Sequence, residues 1–481
     1  MSSTSSRLRT RAPVSVLAGL ALVLALVGAA GSEGSGTPGR VISGPSPFDG
    51  CSGGGLDGLF ANAEVEPSLA VDPRDPRRLI VAYQQDRFST GAARGLIASS
   101  STDGGRNWAR TELPFSLCAG GQTTGWQRAS DPWVSIGPDG RAYLIGLGSG
   151  IAVSTSTDGG RRWSVPVTLA ANNSTYLVDK CTVTADPAQA GVAYAVWQRY
   201  LRRRDGPPIE SDTLLSVTRD GGRRWSAPRL VLAHTRDTGD VASVVLPGAG
   251  GALFHLAYRQ AGGVPGPGAR HLSTLLVQRS GDGGRTWTTP RRIARIRTTA
   301  AKLRDPGSGN VIRSGVPSFA LGSGGRLFAV WQDSRFGGGS VDQVAFSRSA
   351  DGGRTWTKPR RLDVGRRVLG VVPTVAAAGS VVGVSYYAIS PGPNAHDAQA
   401  WVAVSRDSGK TFTRRAVGPA FALGDAPLLA GDPSLLVPPG LFVGDYTGLA
   451  VRRSVVYAAF PTANQDSGNP TDVRFVGLPA R

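Results

Sequence analysis

The sequence predicts an all-β chain, a β-propeller of four-stranded antiparallel blades, on three observations. A short hairpin motif occurs six times, strand-like apolar runs recur between its copies, and the spacing of the copies is nearly constant. The motif reads Ser101-Thr-Asp103-Gly-Gly-Arg-Asn-Trp108 and returns at Ser156–Trp163, Thr218–Trp225, Ser280–Trp287, Ser349–Trp356 and Ser405–Phe412. Its aspartates, Asp103, Asp158, Asp220, Asp282, Asp351 and Asp407, fall 55 to 69 residues apart, the length of one supersecondary unit. Each carboxylate can accept the backbone N–H groups of its own turn, and the glycine two residues on supplies the left-handed backbone of a tight hairpin.

Within a unit the order is constant. An alternating strand such as Pro67–Val71 comes first, then an apolar strand such as Leu79–Tyr83, a third strand, the motif and a fourth strand. The apolar second strands are expected at Leu79–Tyr83, Ala142–Leu147, Ala193–Gln198, Leu253–Tyr258, Leu327–Gln332, Val381–Tyr387 and Val455–Phe460. They number one more than the motifs, so seven blades are predicted, with six as the alternative. The last unit, from about Gly444 to Leu478, has three strands, and residues 40 to 43 are expected to supply its fourth and close the ring.

The first thirty residues read as a signal peptide: Arg7, Arg9 and Arg11, an apolar run from Val14 to Val27, then Gly28-Ala29-Ala30. Residues 31–60 read as a flexible Gly/Ser/Pro-rich leader and residues 61–481 as the propeller. A secreted, extracellular monomer is expected, without a membrane span once the signal is removed. The formal charge of +19 falls to about +16 without the signal's three arginines. It favours anionic neighbours such as acidic glycans, and no nucleic-acid-binding motif accompanies it. Cys51, Cys118 and Cys181 imply one disulfide and one free thiol, with the pairing open. His234, His255, His271 and His396 are too dispersed for a zinc motif, and Gly50–Gly54 has the letters of a nucleophile elbow without its strand-turn-helix setting.

The motif's pattern, Ser-x-Asp-x-Gly-x-Thr-Trp, is matched throughout by Ser280–Trp287 and Ser349–Trp356. In this the chain resembles the sialidase-like (neuraminidase superfamily) β-propellers, whose bacterial neuraminidase repeats are called Asp boxes. The resemblance spans roughly residues 64 to 478. It implies a glycoside hydrolase of the exo-α-sialidase type acting on terminal acidic sugars, needing no cofactor. The alternative is a non-catalytic extracellular propeller that binds glycan or protein at a cell surface. The family's Arg-Ile-Pro motif near the start of the propeller is absent from this chain.

Aligning the first strands places Glu66, Asp131, Asp179, Asp240, Val316, Val372 and Asp445 at one position, five of them carboxylates. These acids are expected to converge at one mouth of a central channel. There they would act as catalysts, hold a ligand or a metal such as calcium, or simply cap turns. The variable loops after the second strands bring Arg87, Arg199, Arg259 and Arg335 to the same face as substrate-binding candidates, together with Asp179, Asp240 and Asp445. By resemblance Tyr446 is the candidate nucleophile, Asp131 the acid/base and Glu66 the activator of the tyrosine.

Overall fold

The computed structural model describes residues 37–121, 124–202, 210–236, 238–261, 273–298, 311–312, 315–365, 368–390, 397–430 and 439–480. The proposed signal peptide, His271 and His396 lie outside these. Among the described residues all regular structure is strand, apart from four short 3-10 turns, and no helix is long and apolar enough to cross a membrane.

The strands form antiparallel meanders. The first comprises Leu59–Val71, Leu79–Phe88, Ala93–Ser101 and Ala109–Leu113, each hydrogen-bonded to the next. The same order repeats in meanders that begin at Ser130, Tyr176, Thr238, Ser318 and Leu369. At the C-terminal end Gly448–Arg452, Val455–Ala463 and Thr471–Pro479 form three strands, and the short strand Arg40–Val41 pairs with the last of them, Arg40 opposite Phe475. A small extra sheet joins Val311–Ile312, Gly440–Leu441 and Leu428–Leu429.

First strands pack successively against one another, and Gly448–Arg452 packs back against Leu59–Val71, so the contacts run in a closed circle. The motif turns lock adjacent meanders together. In each, the second glycine position lies so close to the preceding meander that a Cβ would collide with it: Gly160 against Ile80, Gly222 against Thr155, Gly284 against Leu215, Gly353 against Val277 and Gly409 against Phe346. Gly105, in the first meander, lies against Phe475 of the last, which continues the circle across the chain ends.

Apolar side chains between neighbouring sheets make up the core. Leu144, Leu96, Phe115 and Trp126 form one such layer, and Trp331, Leu256 and Phe319 belong to another. Part of the stretch expected to be a flexible leader is built into this body. Ile42 and Phe48 are buried, Phe48 fills the space above Gly95, and Cys51 is disulfide-bonded to Cys118, which leaves Cys181 as a buried free thiol.

Candidate functional site

The expected acid position precedes the strand at Val316 and Asp445, but at Glu66, Asp131, Asp179, Asp240 and Val372 it lies inside the first strand. At Glu66, Asp131, Asp179 and Val372 it falls at a break in pairing register: between Val65 and Ser68, between Ser130 and Trp133, between Asp179 and Thr182, and between Val371 and Thr374. Such a break is a β-bulge, where one strand holds extra residues and re-aims a side chain. The residues there adopt left-handed backbone, with φ of 55° at Glu66, 50° at Asp131, 44° at Lys180 and 51° at Val372. For residues other than glycine this conformation is strained, and such strain concentrates at functional sites.

Lys180, not Asp179, thus occupies the bulge in the third meander, and it becomes the centre of the site. Its Nζ lies 2.6 Å from Asp445 Oδ2, 3.3 Å from Asp131 Oδ2 and 4.0 Å from Glu66 Oε1. Three of the five aligned carboxylates therefore converge, as expected, but on an ammonium group. Asp179 turns back to accept the Lys180 backbone N–H at 2.8 Å. Asp240 leaves the cluster and forms a two-pronged ion pair with Arg259, whose Nε lies 2.9 Å from its Oδ1.

Burial and crowding separate the protonation states. Glu66 is almost fully buried, and burial together with the Asp131 charge pushes its carboxyl up to about 8, against partial relief from Lys180. That shift favours the protonated form of Glu66 at neutral pH. Burial also raises Asp179, to about 6. Burial works against the charge of Lys180, but Asp131, Asp445, Glu66 and Asp179 outweigh it and hold the ammonium well above the ordinary lysine range. Gln84 fixes Glu66 by donating its Nε2 to Glu66 Oε2, and Arg87 Nη1 in turn donates to Gln84 Oε1 at 2.9 Å while lying 4.0 Å over the Phe442 ring. The backbone N–H of Asp445 donates to Glu66 Oε1 at 3.1 Å. Lys180 and Asp445 keep 18% and 16% of their side chains exposed, and this is where the cluster meets solvent.

Tyr446 is buried beside the cluster. Its hydroxyl donates to the Pro132 carbonyl oxygen at 3.1 Å, and its ring meets Trp133 edge-on at 5.4 Å. Burial, then the nearby Glu66 and Asp131, pushes the phenol well above the ordinary tyrosine range. Three of the four arginine candidates are paired within their own meanders: Arg199 with Asp212 at 2.8 Å, Arg259 with Asp240, and Arg335 with Asp333 at 2.8 Å. Arg87 alone among them touches the cluster, through Gln84.

Among the described residues no three His, Cys, Asp or Glu side chains are arranged to hold a metal ion. The cation among the acids is the Lys180 ammonium. Sequence reasoning overlooked Lys180 because its unit carries the bulge one residue later than the alignment assumed. It also overlooked the glutamines within the second strands, although Tyr83-Gln84, Trp197-Gln198 and Trp331-Gln332 recur in register. Gln332 Oε1 accepts from the Gly315 and Val372 N–H groups at 2.8 and 3.1 Å, and Gln198 Nε2 donates to Ser243 Oγ at 2.7 Å.

No family model matches the chain. A xyloglucanase, Xgh74A of Acetivibrio thermocellus, is 30% identical over 183 residues, which are 35% of this chain and 20% of the xyloglucanase. The chain thus spans about a fifth of that relative's length. Among solved structures, a protein of unknown function from Dyadobacter fermentans is 14% identical, with 76% of this chain and 98% of that one covered and a TM-score of 0.48. The NanB sialidase of Streptococcus pneumoniae, as its K499G mutant, is 12% identical, with 92% and 70% covered and a TM-score of 0.43.

Proposed function

We propose that the chain is a glycoside hydrolase on a seven-bladed β-propeller, with Glu66 as proton donor and Asp131 as the partnering carboxylate. One arrangement carries the reading: a buried carboxyl, pushed upward by burial and by Asp131, sits beside carboxylates paired to an ammonium group. Glycosidases divide the labour in this way, one carboxyl protonating the leaving oxygen while a second activates water or attacks the sugar. Glu66 Oε1 and Asp131 Oδ2 lie 4.0 and 3.3 Å from the same nitrogen. That places these two oxygens no more than about 7 Å apart, close enough for the two carboxyls to flank one glycosidic bond. Lys180 fixes Asp131 and Asp445 electrostatically and positions both.

A neutral glycan suits this site better than an acidic one. The arginines that would grip a sugar carboxylate are taken by Asp212, Asp240 and Asp333, and carboxylates surround the one lysine. The stretch shared with a xyloglucanase supports the same choice. A sialidase-type reaction at terminal acidic sugars is the second reading, favoured by the match of the six motif turns to Asp boxes. In it Tyr446 is the nucleophile, Glu66 its activator and Asp131 the acid/base, and Tyr446 must first release Pro132. Residues 1–30 serve as a signal peptide for secretion in either reading, and the Cys51–Cys118 disulfide fits an oxidising compartment.

The test is reducing-sugar release from xyloglucan and arabinan, and fluorophore release from a sialic acid conjugate, by wild type, Glu66→Gln and Tyr446→Phe. Turnover of a neutral polysaccharide that Glu66→Gln abolishes and Tyr446→Phe retains supports the proposal. Turnover of the sialyl conjugate that Tyr446→Phe abolishes transfers the assignment to the sialidase reading. A folded protein without turnover on any of them is the non-catalytic propeller.

A further inference from the structure

A second site lies at the other end of the strands. Asp179, beside the Lys180 cluster, pairs across its sheet with Gln198, and Gln198 pairs with Thr213. The motif of the third meander begins five residues beyond, at Thr218, roughly 17 Å away at about 3.3 Å per residue. There a cavity of about 350 Å3 opens between the motif turns of the third and fourth meanders. Arg219, Arg224, Arg229 and Arg285 line it, with the half-buried Trp225 among them.

These guanidinium groups differ from the arginines at the acid end. Arg199, Arg259 and Arg335 each clasp a carboxylate in their own meander. Among the described residues the guanidinium groups of Arg219, Arg224, Arg229 and Arg285 have no hydrogen bond or ion pair, and all four residues are exposed. Arg219 leans across to the neighbouring turn, its Nη2 within 3.4 Å of where a Cβ on Gly283 would stand. The one carboxylate in the lining, Asp220, is committed to its own turn, where it accepts from Thr218 Oγ1 and from the Arg224 N–H, both at 3.0 Å. Four like charges are thus gathered around one cavity against a single carboxylate, Asp220, which leaves the lining net positive. Such an arrangement is stabilised when an anion enters it.

We propose that this cavity binds an anionic oligosaccharide, a sugar chain bearing carboxylate or sulfate groups, independently of the central site. The guanidinium groups take the anionic substituents, and the apolar face of Trp225 takes a sugar ring. The volume suits one or two sugar units. The positive charge of the whole chain, +19, draws a polyanion to it.

The test is calorimetric titration of the purified full chain with tetragalacturonate, with a heparin tetrasaccharide, with uncharged cellotetraose and with a ten-residue oligothymidylate. None of these titrations requires turnover, so the outcome is separate from the fate of the glycosidase reading. The tetragalacturonate and heparin arms tell a carboxylate ligand from a sulfate one. At least one of them should bind, Arg219→Gln/Arg285→Gln should weaken that binding by about tenfold or more, and any cellotetraose binding should be unchanged in that variant. Arg40→Gln/Arg415→Gln removes the same charge elsewhere and should weaken it by less than about threefold. Equal loss in both double variants would reduce the effect to overall charge and overturn the site. Binding of the oligothymidylate as tightly as the sugars, or of neither anionic sugar, would overturn the assigned ligand.

Discussion

Aspartates occupy equivalent positions at both ends of the meanders, and the two sets behave oppositely. In the motif turns one arrangement is repeated six times. A Ser or Thr hydroxyl donates to the carboxylate at 2.7 to 3.0 Å, and the backbone N–H four residues on donates to the same oxygen at 2.9 to 3.0 Å. These bonds, that from Asn107 foremost, hold Asp103 down at about 2, and those from Thr286 hold Asp282 well below the usual carboxylate range. At the acid end the positions diverge: Glu66 is pushed toward its protonated form, Asp131 and Asp445 face an ammonium, Asp240 clasps an arginine, and Val372 carries no charge. Uniform repetition fits residues that hold the fold, whereas divergence at the aligned position, strained at Glu66, Asp131 and Val372, fits the chemistry proposed for it.

The comparison breaks most severely if Lys180 is dispensable. Lys180→Met leaves Asp131 and Asp445 crowded without their cation, and a loss of about 3–5 kcal/mol is expected, read as a lowered denaturation midpoint at pH 7. Full stability in this variant would mean that the cluster is solvated and not coupled.

Next in size is a pH effect specific to the acid end. An unfolded Glu66 ionises near 4.5, whereas the folded one keeps its proton to about 8. Between these values the folded state binds the extra proton, so stability should fall as pH rises from about 4.5 to about 8. Asp179, raised from 3.8 to about 6, adds a slope of the same sign over the lower part of that window. Thermal melts across pH 4 to 9 should show the decline, and Glu66→Gln should flatten its upper half. The motif aspartates contribute the opposite way, but only at acid pH, because their carboxyls are lowered.

Much of this contrast is written in the sequence. All seven apolar second strands begin at the residue where the apolar run begins, from Leu79 to Val455, because continuous burial on both faces leaves an unmistakable pattern. The motif turns are equally legible, since their bonds are local in sequence. The acid end is only half legible. Its carboxylates stand out by alignment, but a bulge shifts register by one residue without altering composition, and so Lys180 was hidden behind Asp179. Arginine pairing was illegible for a related reason: Arg259 reaches Asp240 across a strand pair, and sequence proximity does not distinguish a paired guanidinium from an available one. The leader misleads for the reverse reason. Its glycines and serines read as flexible, yet Ile42, Phe48 and Cys51 anchor it from sparse positions.

A third effect sharpens the structural half of the comparison. Gly222 has φ of +86°, and a Cβ there would stand 2.6 Å from Thr155 Cγ2 of the preceding meander. Gly222→Ala should cost about 1–3 kcal/mol in urea denaturation and leave the pH slope from Glu66 intact. The smallest effect is expected for Asp351→Asn, which keeps the turn's shape while weakening the bonds from Ser349 and Thr355. Its melting temperature should fall by less than that of Gly222→Ala, with turnover unchanged.

The central claim is that the divergent end performs the chemistry through a protonated Glu66. The most direct measurement is the pH profile of kcat/KM on a neutral polysaccharide for wild type, Glu66→Gln and Asp282→Asn. The account predicts an alkaline limb near pH 8 in wild type, the same limb in Asp282→Asn, and loss of turnover in a folded Glu66→Gln. A Glu66→Gln variant with wild-type turnover and an unchanged alkaline limb would contradict it.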